Sequence, residues 1–222
     1  MLEIVLVTFF ALLPISNPFS TIPLYLSLTA GYSKAWSQKQ ALKAAFYMAG
    51  ILLVFLWAGA FIIDFFGISI PAIRVAGGVI IMRVGFGMLN PKDADDITEA
   101  AKQESRTKKD IAFTPLAMPS LSGPGSISVV ISMAASSDDI LSYLAVSAGI
   151  VAVVIVAWLA MRGAPFVSRF LGITGLDALT RIMGFLLICI AFQFVFDGLG
   201  GYLASERFLQ PIIEHLKMTL VI

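Results

Sequence analysis

Long apolar runs alternate with short polar connections along the whole chain. Six runs stand out, near 4–30, 44–65, 71–89, 111–135, 141–161 and 182–203. A helix needs about 20 mostly apolar residues to cross a bilayer, and each run is near that length. A membrane β-barrel would instead show alternating segments of roughly ten residues. The pattern predicts six transmembrane helices. Two runs are interrupted. The first carries Pro14, Ser16, Asn17, Pro18, Ser20, Thr21 and Pro23; the fourth carries Pro119, Ser120, Ser122, Gly123, Pro124, Gly125 and Ser126. Proline removes a backbone donor and clashes with the preceding turn. Helices 1 and 4 are therefore expected to be broken near mid-membrane, as unwound or re-entrant segments.

Composition agrees. Apolar residues make up 59% of the 222 positions, charged residues 13%, and mean hydropathy is +0.93. Soluble domains average about 45–50% apolar and about 25% charged. A chain of this size has too little interior to hide that surplus, so it must face lipid. The N-terminal MLEIVLVTFFALLP carries Glu3 where a signal peptide would be basic, and reads as a retained first helix. The polar stretch at 92–110 reads as a cytoplasmic linker.

The halves on either side of it match. At an offset of 106, Ser16 falls on Ser122, Asn17 on Gly123, Pro18 on Pro124 and Ser20 on Ser126. At an offset of 107, Arg74 falls on Arg181, Gly77 on Gly184 and Ile81 on Ile188. Each half holds three spans, an odd number, so the second must insert upside down. The predicted fold is an all-α membrane protein: one domain over 1–222, an inverted 3+3 repeat with repeats at 1–91 and 111–222. Paired discontinuous helices in inverted repeats mark secondary transporters.

Charge sets the expected orientation. The three loops that follow the odd-numbered spans carry ten Lys or Arg, among them Lys34, Lys39, Lys43, Lys108, Lys109 and Arg162; the loops after the second and fourth spans carry none. Basic loops stay cytoplasmic, so both termini should face outward.

The broken helices gather the candidate chemistry. Ser16, Asn17, Ser20, Thr21, Ser122 and Ser126 bring hydroxyls and an amide, and opened helix ends add free N–H and C=O groups. Pro18 and Pro124 open the helices, while Gly123 and Gly125 should let backbone approach a ligand and leave a small cavity. Such a site suits a zwitterion, its carboxylate against a half-helix N-terminus and its ammonium against freed carbonyls. Asp197, acidic within the last span, is the candidate for coupling to a proton or sodium ion. Glycines at 50, 59, 77, 78, 85 and 87 read as close-packing ridges. No metal site is expected, because the lone His215 lacks partners, and the lone Cys189 permits no intrachain disulfide. No HExxH, GxSxG or Walker loop occurs in the sequence, and no basic stripe suggests nucleic acid. The expectation is a non-enzyme without a cofactor, facing membrane lipid and a small-molecule substrate, with its oligomeric state open.

The stretches LLPISNPFSTIPLYL at 12–26, FGISIPAIRVAGG at 66–78, FTPLAMPSLSGPGSI at 113–127 and RIMGFLLICIAFQF at 181–194 resemble the MarC family of integral membrane proteins across essentially the whole chain. The resemblance implies a bacterial cytoplasmic (inner) membrane protein with outward termini. It also implies transport of small neutral amino acids such as glycine or alanine, coupled to a cation gradient. The alternatives are a channel, an exporter of another small polar metabolite, or a membrane protein that transports nothing.

Overall fold

The computed structural model describes residues 1–90, 110–137, 139–205 and 208–210. The linker expected at 92–110, apart from Asp110, and His215 lie outside these residues. The described part is helical, in the order α1 (Leu2–Ser16), α2 (Thr21–Thr29), α3 (Lys34–Phe66), α4 (Ile70–Leu89), α5 (Ala112–Leu121), α6 (Pro124–Ala135), α7 (Ile140–Arg162) and α8 (Ala164–Leu203). The first expected span is the pair α1–α2, bent by 54°, and the fourth is the pair α5–α6, bent by 63°. Counting each pair as one span gives six.

Local chemistry sets the boundaries. α1 stops at Asn17, which adopts left-handed φ 37°, ψ 64° and sends its N–H to the Leu13 carbonyl. Asparagine tolerates that conformation better than most residues. α5 is wide and irregular. Thr114 and Met118 are extended there (φ −122° at each), and each precedes a proline, which disfavours helical backbone at that position. α3 begins ten residues before the expected 44, because the Ser33 hydroxyl caps the Trp36 N–H. The polar turns after it continue the helix beyond the apolar run. The last span likewise begins before the expected 182, with α8 breaking at Gly172 (φ 64°, ψ −177°) and running on through Thr174–Leu203.

Much of the packing follows a two-fold pattern, although the α1–α8 and α7–α8 contacts have no counterpart of similar extent. Exchanging α1 with α5, α2 with α6, α3 with α7 and α4 with α8 turns the α1–α7 contact into α5–α3, α2–α8 into α6–α4, and α3–α6 into α7–α2. All these contacts exist. The α3–α7 and α4–α8 contacts map onto themselves, as pairs lying on the axis must.

α4 and α8 approach through glycine. A Cβ on Gly78 would stand 2.8 Å from the Ala191 carbonyl, and one on Gly85 2.9 Å from that of Gly184. Small residues at such a crossing let two backbones touch. Gly50 and Gly87, expected in the same ridges, face open space instead. The core, with Leu12, Leu52, Leu116, Leu121 and Ile150 fully buried, lies among α1, α3, α5 and α7. Large apolar side chains such as Phe61, Phe65, Phe166 and Phe170 stand on the outside. A soluble protein does not tolerate such a surface, and lipid does. At the end where α3 begins, Lys43 Nζ bonds Asp110 and holds that carboxyl below its usual range.

Candidate functional site

Nine polar side chains are buried among the described residues, and five of them, Ser16, Asn17, Thr21, Ser122 and Ser126, lie in the two helix breaks. Elsewhere the buried Thr8 and Thr29 hydroxyls turn back on their own helices, donating to the Ile4 and Tyr25 carbonyls, and Ser132 accepts from an arginine. At the breaks hydroxyls cross between the halves. The Ser16 and Ser126 hydroxyls are 3.4 Å apart, and those of Thr21 and Ser120 are 3.0 Å apart. The breaks therefore meet, in a neutral polar seam within an apolar core.

The first break is knotted on itself. Asn17 Oδ1 accepts the Ser20 N–H at 3.2 Å, and the Asn17 carbonyl accepts the Ser20 and Thr21 hydroxyls. Asn17 Nδ2 donates to Met88 Sδ at 3.2 Å, a weak acceptor. Pro18 is buried beside it.

The second break is left more open. Gly123 caps α6 without a side chain, and Pro124 opens the helix without an N–H. Pro119 and Pro124 are exposed while Ser122, Gly125 and Ser126 are buried. Ser122 Oγ is fully enclosed and has no hydrogen-bond partner. An unmet buried hydroxyl costs about 1–3 kcal/mol, so native structures rarely leave one without a purpose.

One expectation needs correction. Gly125 does not leave room for a cavity. A Cβ on Gly125 would lie 2.8 Å from Ile81 Cγ1 and 3.4 Å from Ile15 Cγ2; on Gly123 it would lie 2.8 Å from the Pro119 carbonyl oxygen. At Gly125 protein has taken the space. At Gly123 the missing side chain keeps a backbone oxygen uncovered.

Asp197 is not at the breaks. It is exposed and accepts a hydrogen bond from Gln193 of its own helix at 2.8 Å. The next residue, Gly198, packs on the Pro71 carbonyl at the start of α4, which puts Asp197 at that end of the bundle. At the same end Arg74 reaches from α4 to α6, its Nε 2.9 Å from Ser132 Oγ and its Nη2 3.3 Å from Ser136 Oγ. Its repeat mate Arg181 is exposed and bonds no other residue among those described. A shallow groove between α1, α6 and α7, also lined by Ser136, holds Glu3, Thr8, Ser137 and Ser142 and does not include the breaks.

The model of the MarC family integral membrane proteins matches residues 2–203. The chain belongs to the MarC family. An inner membrane protein MarC from Escherichia coli O1:K1 is 38% identical over 199 residues, covering 85% of this chain and 90% of the relative. The protein of the same name from Escherichia coli K12 is 37% identical over the same shares. No solved structure matches the chain. This MarC-family protein is thus an all-helical, multi-span membrane protein. Its site also has members that polarity could not flag. Met88, Ile81 and Ile15 are apolar, and only α4 and α1 folding against the breaks brings them to Asn17 and Gly125.

Proposed function

We propose that this MarC-family protein is a secondary transporter that carries a small neutral amino acid, such as glycine or alanine, through the seam where its broken spans meet. The observation behind this reading is the pairing of Ser16 with Ser126 and Thr21 with Ser120 across the two halves. A scaffold has no need of polar, unwound backbone at the heart of an apolar bundle, where each unmet group is costly. A carrier does, because freed groups bind a solute and two packed halves rocking about it give alternating access. The seam is neutral and tight, which suits a small zwitterion over a larger or singly charged solute. To pass, the solute parts two hydroxyl pairs and replaces their bonds with its own.

The coupling ion in this reading is a proton or sodium, and the termini and the Arg74 end face outward, in keeping with the ten basic residues placed in the other loops. The deciding experiment uses purified protein in liposomes with labelled glycine, alanine, serine and leucine, with and without proton and sodium gradients. Saturable, gradient-stimulated uptake of glycine or alanine is the expected result. Uptake of none of them above empty liposomes refutes the reading, and flux that never saturates makes the protein a channel.

A further inference from the structure

The fold contains two internal helix N-termini, those of α2 and α6, and either could hold the negative end of a zwitterion. Their first turns differ. In α2 a single donor is left over: the Ser20 N–H goes to Asn17 Oδ1 at 3.2 Å, the Ile22 N–H to the Phe19 carbonyl at 3.2 Å, and Pro23 has none, so that only the Thr21 N–H lacks an acceptor among the described residues. In α6 the first satisfied donor is the Ile127 N–H, bonded to the Gly123 carbonyl at 3.1 Å. The N–H groups of Gly125 and Ser126 have no acceptor among the described residues, and no side chain caps the helix. Both residues are buried.

Ser122 is the second, independent sign. It sits one residue before the α6 cap, fully enclosed, with its hydroxyl unpartnered. Its counterpart in the other half, Ser16, has the Ser126 hydroxyl for company. An anion at this helix end would meet two amide donors, one hydroxyl donor and the positive end of the helix dipole.

An acceptor lies beside these donors. The Pro119 carbonyl oxygen is 2.8 Å from where a Gly123 side chain would begin. Five residues on, where the wide turn of α5 would supply its donor, stands Pro124, which has no N–H. Donors and a bare carbonyl side by side match an α-amino acid, whose ammonium and carboxylate share one carbon.

We propose that the carboxylate of the transported amino acid docks on the N-terminus of α6, held by the Gly125 and Ser126 N–H groups and the Ser122 hydroxyl, and not on the N-terminus of α2. This assignment rests on the transport reading above. It makes Ser122 a substrate-binding residue whose contact is with the carboxylate alone.

The test compares alanine with alaninamide, which keeps the ammonium and lacks the carboxylate, as competitors of labelled-alanine uptake in liposomes. In the wild type, alaninamide should compete at least tenfold more weakly. Ser122→Ala removes a hydrogen bond to a charged group and should weaken alanine roughly tenfold or more, while leaving the weak competition by alaninamide as it was. Ser147→Ala, whose hydroxyl only bonds back to the Tyr143 carbonyl, should change neither. If Ser122→Ala melts early in detergent, Ser122→Cys keeps the shape with a poor donor and carries the same comparison. Equal weakening of both competitors, or wild-type alanine affinity in a folded Ser122 variant, overturns the assignment and leaves transport standing. A wild type that takes up neither glycine nor alanine overturns the transport reading itself.

Discussion

Asn17 offers a test in which the sign of an effect matters more than its size. At an ordinary helical position alanine is better than glycine by about 1 kcal/mol. Asn17 is not helical: its φ of 37° places it in the left-handed region, where a Cβ costs roughly 1–2 kcal/mol and glycine is free of that strain. Asn17→Gly and Asn17→Ala lose the same side-chain interactions, the amide oxygen on the Ser20 N–H and the amide nitrogen on Met88 Sδ. The first of these is a backbone-to-side-chain bond worth about 0.5–1.5 kcal/mol, and the second is weaker. Both variants should therefore be less stable than the wild type by about 1–2 kcal/mol from the amide alone. Their difference isolates the backbone. Glycine should win by about 1 kcal/mol, or roughly 2–4 °C in melting temperature for a chain of this length. Melting of both variants in one detergent, followed by intrinsic fluorescence or circular dichroism, reads the difference directly. Asn17→Ala melting above Asn17→Gly would refute a left-handed break at this position. Because both variants lack the amide, transport lost equally in the two assigns the loss to the side chain, and transport kept only by glycine assigns it to the backbone.

At the α4–α8 crossing, Gly78→Ala brings a Cβ to 2.8 Å from both the Ala191 carbonyl and Val195 Cγ2, and backbone cannot yield cheaply; it should cost about 1–3 kcal/mol. Gly87→Ala meets nothing within 4 Å and should be neutral or slightly stabilising, so equal melting of the two variants would count against this packing. Orientation can be read by thiol labelling in a Cys189→Ala background, since the native cysteine is exposed: an impermeant reagent added outside should reach Ser137→Cys and not Lys39→Cys, and the reverse pattern would turn the topology over.

The apolar runs carried the architecture in plain view, because lipid demands length and apolarity of every span. The breaks were as legible: proline and asparagine within an apolar run leave the chain few alternatives, and the structure bends there by 54° and 63°. Helix ends outside the apolar runs were harder. Hydropathy says nothing of where the polar turns of α3 begin, a boundary set by the Ser33 cap. It also misses the start of the last span, where Asp177 and Arg181 dilute an otherwise continuous helix. Which residues touch was harder still. The repeat aligns Ser16 with Ser122, yet its neighbour in space is Ser126; equivalence under a two-fold axis does not make two residues contacts. The apolar walls at Ile81 and Met88 carry no signal that separates them from lipid-facing neighbours on α4.

The Arg74 clasp has a consequence for energetics. Two identical inverted halves would make the inward-facing and outward-facing forms of a carrier equivalent under the two-fold axis, equal in free energy and equally populated. Here the halves are not identical. Arg74 finds Ser132 and Ser136, whereas the positions that an offset of 106 would bring to Arg181 are Leu26 and Ala30, which offer no hydroxyl. On the transport reading, the form clasped at the Arg74 end has two bonds that its two-fold-related form lacks. A net bias of only about 1.4 kcal/mol holds ten molecules in one form for each in the other. A solute arriving at the disfavoured face would see its affinity reduced by the same factor. For a carrier of this design, two serines facing the arginine of one repeat, with none at the matching positions of the other, are enough to give the empty protein a preferred side.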